Sequence, residues 1–207
     1  MNFQQRAKEV IDVEIAGMEK VRDQINGDFS TAIDWILATV KNGGKVVVTG
    51  VGKNFHIGQK MVATFNSTGT PSALLHPIEA MHGDFGLVGE KDVVLALSYS
   101  GGSDELIALL PALKRRGLKI IGMTGDATSP LGIQSDLILP ITVDKEACPF
   151  GMAPTTSPRG NCMYSNSRPA GQSSGGLWPP LAMVISPVSV SSRAHSPVKN
   201  MEASLSG

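Results

Sequence analysis

VVLALSYSGGSDE, residues 93–105, changes character within a single step. Five apolar residues, Val93 to Leu97, give way to Ser98, Ser100, Gly101, Gly102 and Ser103, and a helical pattern, ELIALLPALKRRG, begins at Glu105. A buried strand feeding a hydroxyl- and glycine-rich turn at a helix start is suited to hold an anion. The first backbone N–H groups of the helix have no intrahelical partner, the helix dipole favours negative charge, and serine hydroxyls add donors. No Lys or Arg lies between Val93 and Leu113, so the loop binds through hydrogen bonds and not through bulk charge. That suits a small phosphorylated sugar better than a nucleic acid.

Outward from this turn, short apolar runs alternate with helical periodicity. KVVVTG (45–50), SALLH (72–76), VVLALS (93–98), KIIGMTG (119–125) and LILPITV (137–143) read as strands. Helices are expected through 55–66, near 78–82, over 104–116 and near 129–134. Fully apolar strands separated by helices predict an α/β fold: a doubly wound, parallel, five-stranded sheet flanked by helices. A helical pair precedes it. Ala7, Ile11, Ile15, Met18, Val21 and Ile25 mark a helix over 4–26 with one buried face. A second is expected over 30–41, capped by Asp28 or Ser30 and stopped by Asn42-Gly43-Gly44. In such sheets ligands sit at the carboxyl ends of the strands, and every Gly/Ser/Thr-rich segment is expected there.

The 207 residues suit one domain of ordinary size. Eighteen basic and eighteen acidic residues cancel, which argues against a nucleic acid or a membrane surface as partner. No apolar run approaches the roughly 18 residues of a membrane span. The N-terminus carries charge throughout, unlike a secretory signal. Cys148 and Cys162 make neither a disulfide framework nor a metal-ligand pair, so a cytoplasmic location is expected. Residues 158–207 differ: 22 of these 50 are Ser, Pro or Gly, and Glu202 is the one acid. This stretch reads as an irregular or disordered tail beside a domain spanning 1–157.

Several segments hold candidate chemistry. TGVGKNFHIGQK (49–60) follows the first strand and brings Lys53 to the strand mouth, although it also fits a turn with a solvated lysine. It is neither a P-loop nor a dinucleotide fingerprint. STGTPS (67–72) offers Gly69 and Thr70, or simply a helix cap and turn. HPIEAMHGDFG (76–86) places His76, Glu79, His82 and Asp84 close in sequence, without a specific zinc spacing. Glu105 opens the helix after the serine loop, where a carboxylate also simply complements the dipole. Glu146, in KEACPFGMAPTTS (145–157), follows the last strand, although it also fits a surface acid before a turn, and Cys148 reads as a small apolar residue. Two carboxylates, a lysine and a histidine around a phosphate loop suit proton shuttling beside a carbonyl.

VVVTGVGKNFHIGQKMVATFNSTGTPSALLHPIEAMHGDFGLV (46–88), the serine-loop segment and KEACPFGMAPTTS together resemble the sugar-isomerase (SIS) domain of D-arabinose-5-phosphate isomerases, from about residue 5 to 157. The resemblance implies interconversion of D-ribulose 5-phosphate and D-arabinose 5-phosphate through an enediol, without an organic cofactor, towards the lipopolysaccharide sugar Kdo. It implies catalytic roles for Lys53, Glu105 and Glu146, and substrate contacts at Gly69, Thr70, His76, His82, Ser98, Ser100 and Ser103. It also implies inhibitory zinc near His76, and a homo-oligomer, tetrameric in the family. Gly102 stands where many relatives carry Glu or another polar residue. Rival readings are a non-catalytic sugar-phosphate-binding SIS module and an inactive fragment.

From Pro158 the resemblance ends. The expected Thr-, Ala- and Leu-rich helix, the HPGG histidine and the CBS modules have no counterpart, and His195 sits in AHSPVK. So abrupt a loss of pattern points to a shifted reading frame, with reduced stability and poor or absent isomerase activity expected of this chain.

Overall fold

The computed structural model describes residues 2–146; the expectations for Cys148, Cys162, the tail from Pro158 and His195 fall outside them. The chain runs α1 (Phe3–Asp23), α2 (Gly27–Lys41), β1 (Val46–Gly50), α3 (Lys53–Ser67), β2 (Ser72–Leu75), α4 (Pro77–Met81), a 3₁₀ turn (Asp84–Leu87), β3 (Val93–Leu97), α5 (Asp104–Arg115), β4 (Lys119–Thr124), α6 (Pro130–Gln134) and β5 (Leu137–Pro140). All four strand pairings are parallel, in the order β2-β1-β3-β4-β5. The direction of winding therefore reverses between β1 and β3, and in sheets of this kind the crevice that takes ligands lies there, above the carboxyl ends of the strands.

Alternation along each strand divides the core between two faces. Val46, Val48, Val93, Leu95, Leu97, Ile121 and Met123 pack with Ala32 and Ile36 of α2 and Met61 and Phe65 of α3. Val47, Val94, Ala96 and Ile120 pack with Ala80 of α4, Leu106, Leu109, Leu110 and Leu113 of α5, and Leu131 of α6. Burial on both faces is why β1 and β3 contain no outward polar position. At the amino edge, Asp92 staples these two strands. Its carboxylate accepts from the Lys45 ammonium at 2.7 Å, the Lys45 amide at 2.9 Å and the Gly89 amide at 2.8 Å.

Three expectations need correction, and one element was not expected. The cap of α2 is Asn26, whose side chain accepts from the Asp28 amide at 2.9 Å, rather than Asp28 or Ser30. The 3₁₀ turn after α4 was not legible as a repeat. β5 ends at Pro140, since Pro lacks the amide that would continue the ladder there. The largest change concerns α1, whose apolar stripe is not buried: Ile11, Ile15 and Met18 are 54%, 45% and 48% exposed. Both sheet faces are already covered by α2 to α6, and Gly17 is the one buried residue of α1.

Phe65 is fully buried between α3 and the sheet. Phe65→Ala is expected to cost about 3–5 kcal/mol of unfolding free energy, measured by urea denaturation.

Candidate phosphate-binding crevice

β1 and β3 end flush, with Thr49 opposite Ala96 and Gly50 opposite Leu97. The segments leaving them therefore face each other across the crevice. From β1 the chain turns through Gly52, at φ 58°, and enters α3 at Lys53. From β3 it passes through Ser98 to Ser103 and enters α5 at Asp104 and Glu105.

The helix starts differ in how their orphan amides are met. Among the described residues, α1, α2, α4 and α6 open with side-chain caps from Asn2, Asn26, His76 and Ser129. α3 and α5 have no side-chain cap hydrogen bond. These are the two helices that flank the switch point. Ser103, at the cap position of α5, instead pairs its hydroxyl with that of buried Ser98, 3.1 Å away. Two uncapped amino termini thus face one crevice, where an anion would complement both dipoles.

The loop between them has a defined shape. The Gly101 amide donates to the Ser98 carbonyl at 3.1 Å, and the Gly101 carbonyl accepts from the Leu131 amide at 2.9 Å. Gly101 sits at φ 64°, and a Cβ there would run into the Ser129 side chain and come 3.0 Å from Thr124 Oγ1. Gly102 has open space around it. The glycine that matters is therefore Gly101, and the departure at Gly102 lies where nothing is crowded. The next loop is pinned by Thr128, whose amide and hydroxyl donate to Asp126 at 2.8 and 2.7 Å. Those bonds hold the Asp126 carboxyl below its ordinary range.

Of the residues singled out in the sequence, Lys53, His76, His82, Ser98, Ser100, Ser103, Glu105 and Glu146 all lie beyond the carboxyl ends of strands. Glu146 is buried, Lys53 and Glu105 are half-buried, and Ser100 is exposed. His76 caps α4 through Nδ1, which accepts from the Ile78 amide at 3.3 Å, and its ring meets Phe55 edge-on at 4.8 Å. Gly69 and Thr70 are placed differently. They join α3 to the start of β2, at the amino edge of the sheet, so within one copy of the chain they stand about 13 Å, a strand's length, from the crevice. The loop is turn chemistry, with Gly69 at φ 83° and the Thr70 amide bonded to the Phe65 carbonyl at 2.8 Å. The zinc expectation at His76 finds no support: no group of three His, Cys, Asp or Glu side chains that could hold a metal occurs among the described residues.

Sequence reasoning missed two polar groups and one aromatic. Thr49 Oγ1 and Asn54 Oδ1 are buried without a hydrogen-bond partner at the end of β1 and in the first turn of α3. Each such orphan costs about 1–3 kcal/mol, so their place beside the switch point is a concession to the site. Tyr99, inside the serine loop, is half-buried. The signal for it was in the sequence: one aromatic among five Ser and Gly residues has to pack on something.

The SIS domain model matches residues 40–158. Arabinose 5-phosphate isomerase KdsD of Yersinia pestis is 47% identical over 157 residues, covering 76% of this chain and 47% of that protein. Arabinose 5-phosphate isomerase GutQ of Escherichia coli K12 is 43% identical over 150 residues, covering 72% of this chain and 46% of that protein. The chain thus spans about half the length of the curated relatives it matches. A solved Escherichia coli CFT073 protein, in complex with arabinose 5-phosphate, is 39% identical with a TM-score of 0.71, covering 76% of this chain and 82% of that one.

Gly101→Ala is expected to weaken inorganic phosphate binding at least about tenfold, through the strained φ and the clash with Ser129, while Gly102→Ala stays within about twofold. Titration by isothermal calorimetry checks both.

Proposed function

The chain belongs to the SIS domain family, and from that premise we propose that it is an aldose–ketose isomerase acting on a pentose 5-phosphate. The observation that carries the reading is the pair of uncapped helix starts at the switch point, one opening with Lys53 and the other with Asp104 and Glu105. The arabinose 5-phosphate held by the Escherichia coli CFT073 neighbour supports D-arabinose 5-phosphate and D-ribulose 5-phosphate as the pair interconverted. Such a reaction would feed Kdo and lipopolysaccharide synthesis in the cytoplasm. The charge balance of the chain accords with a small-molecule ligand, and no helix among the described residues is long and apolar enough to cross a membrane.

In this reading the phosphate lies against Ser98, Ser100, Ser103 and the amides of α5. A carboxylate removes the C2 proton of the open-chain aldose, and the C2–H electron pair forms the C1–C2 double bond of the enediol. The O1 that was carbonyl oxygen gains a proton. Return of a proton to C1 and loss of the O2 proton then leave the ketone at C2. Glu146, buried in the segment that follows β5, is the base, and Glu105 carries protons between O1 and O2. The Lys53 ammonium opposes charge as it develops on the enediolate oxygens. His82, at the end of α4, contacts the sugar hydroxyls. No organic cofactor enters this scheme, because the proton is both removed and returned by side chains.

The exposed stripe of α1 supports homo-oligomerisation, tetrameric by the family resemblance. Ile15→Glu would place a charge on that stripe. It is expected to lower the solution mass seen by light scattering, and an unchanged mass would remove α1 from the interface.

The decisive assay incubates the 207-residue chain with arabinose 5-phosphate in D₂O and follows ketose formation and deuterium uptake by NMR. Glu146→Gln is expected to slow exchange about 10²- to 10⁴-fold while ligand-induced thermal stabilisation persists. Stabilisation of the parent chain without any exchange would instead identify a sugar-phosphate-binding module.

A further inference from the structure

The segment that delivers Glu146 leaves the sheet after Pro140 and belongs to no helix or strand. What holds it comes from elsewhere in the chain. The Ile141 amide donates to the Thr124 carbonyl at 3.0 Å. The Thr142 hydroxyl donates to the Gly125 carbonyl at 2.9 Å. Gln24, just after α1, meets both polar atoms of the Thr142 backbone: its amide nitrogen donates to the carbonyl at 2.8 Å, and its oxygen accepts from the N–H at 3.2 Å. Lys20 of α1 pairs with Asp144.

Tyr99 closes the set from the phosphate side. Its hydroxyl donates to the Val143 carbonyl at 3.4 Å and accepts from the Val143 amide at 3.3 Å. Its own carbonyl accepts from the Gly125 amide at 2.9 Å and the Thr124 hydroxyl at 3.2 Å. Its ring covers Gly125 so closely that a Cβ there would lie 2.9–3.1 Å from ring carbons. One residue of the serine loop therefore ties together the segments after β3, β4 and β5. Its immediate neighbours are Ser98 and Ser100 on one side of the link, and Glu146 lies three residues beyond Val143 on the other.

We propose that Tyr99 is a positioning residue for Glu146, its phenol clamping the Val143 backbone and so setting where the carboxylate stands relative to a phosphate held by the serine loop. The proposal rests on the reading of Glu146 as the base. A carboxylate on an irregular segment has no ladder to keep its distance to C2, and proton abstraction is sensitive to displacements of about 1 Å. Beside the Gln24 bonds to Thr142 and the Lys20–Asp144 pair, the clamp helps fix that distance through a ring of two rotatable bonds seated on a glycine.

Tyr99→Phe in the full chain tests it, because the ring keeps its seat on Gly125 and the carbonyl its bonds, while the two hydroxyl bonds to Val143 are lost. Hydrogen exchange by NMR is expected to show the Val143 amide exchanging at least about tenfold faster, with Thr142, held by Gln24, unchanged. In the D₂O assay kcat is expected to fall about tenfold with KM within twofold, since the phosphate contacts are untouched. Unaltered exchange at Val143 overturns the clamp. Faster exchange with an unchanged kcat overturns its role in placing Glu146, and a rise in KM at constant kcat does the same, by locating the effect in the phosphate loop. A parent chain that shows no proton exchange at all with its substrate counts against the isomerase reading itself, and the Val143 amide still decides whether the clamp exists.

Discussion

The parallel register of β1 on β3 is the constraint on which the rest depends. Val46 pairs with Val93 and Gly50 with Leu97, so the two strands begin and end level, and all ten of their residues are buried. Burial on both faces forbids a slip. A shift by one residue would carry the α3-facing set of Val48 and Leu95 onto the α5 face and leave neither side matched. Because the ends are level, the first residues of α3 and α5 arrive at the same height above the sheet. Asp92 and Lys45 fasten the opposite edge, so the register is held at both ends.

That levelness explains the capping pattern. A helix start that must remain available to a ligand cannot be filled by its own side chain. The two helices at the switch point carry Gly52 and Ser103 at the cap position, and neither makes a side-chain cap bond. The cost of the open ends is accompanied by two buried orphans, Thr49 Oγ1 and Asn54 Oδ1, in the same neighbourhood. Stability elsewhere is supplied by the closely packed faces of α3 and α5, with Phe65, Leu106 and Leu110 wholly inside. The loops beyond β3, β4 and β5 then act as one unit, joined through Gly101, Tyr99, Thr124 and Ser129.

The elements that were read correctly from sequence are those whose signal is local. Val93 to Leu97 is a strand because five successive apolar residues need burial on both faces, and it gives way at Ser98, itself buried, to a turn of glycines and the exposed Ser100. Lys53, Ser98, Ser103 and Glu105 were traced to the carboxyl edge by their position after such strands. Gly69 and Thr70 were misplaced because a Gly/Thr turn has the same composition at either edge of a sheet. Only chain direction, helix then strand, distinguishes the two. The α1 stripe was misjudged for a related reason. Periodicity reports that a helix has an apolar face, and it is silent about whether this chain has a surface left to receive it.

Sequence alone determined the alternation of strands and helices, the glycine-serine turn at the start of α5 and the membership of residues 40–158 in the SIS domain family, since each depends on neighbouring residues and their spacing. Tertiary structure decided which helix starts are left open, that Gly101 and not Gly102 is sterically required, and that Tyr99 and Gln24 hold the segment leading to Glu146. These facts join residues separated by up to 118 positions. No local pattern encodes such contacts, because they exist only once the level strands have brought the loops together.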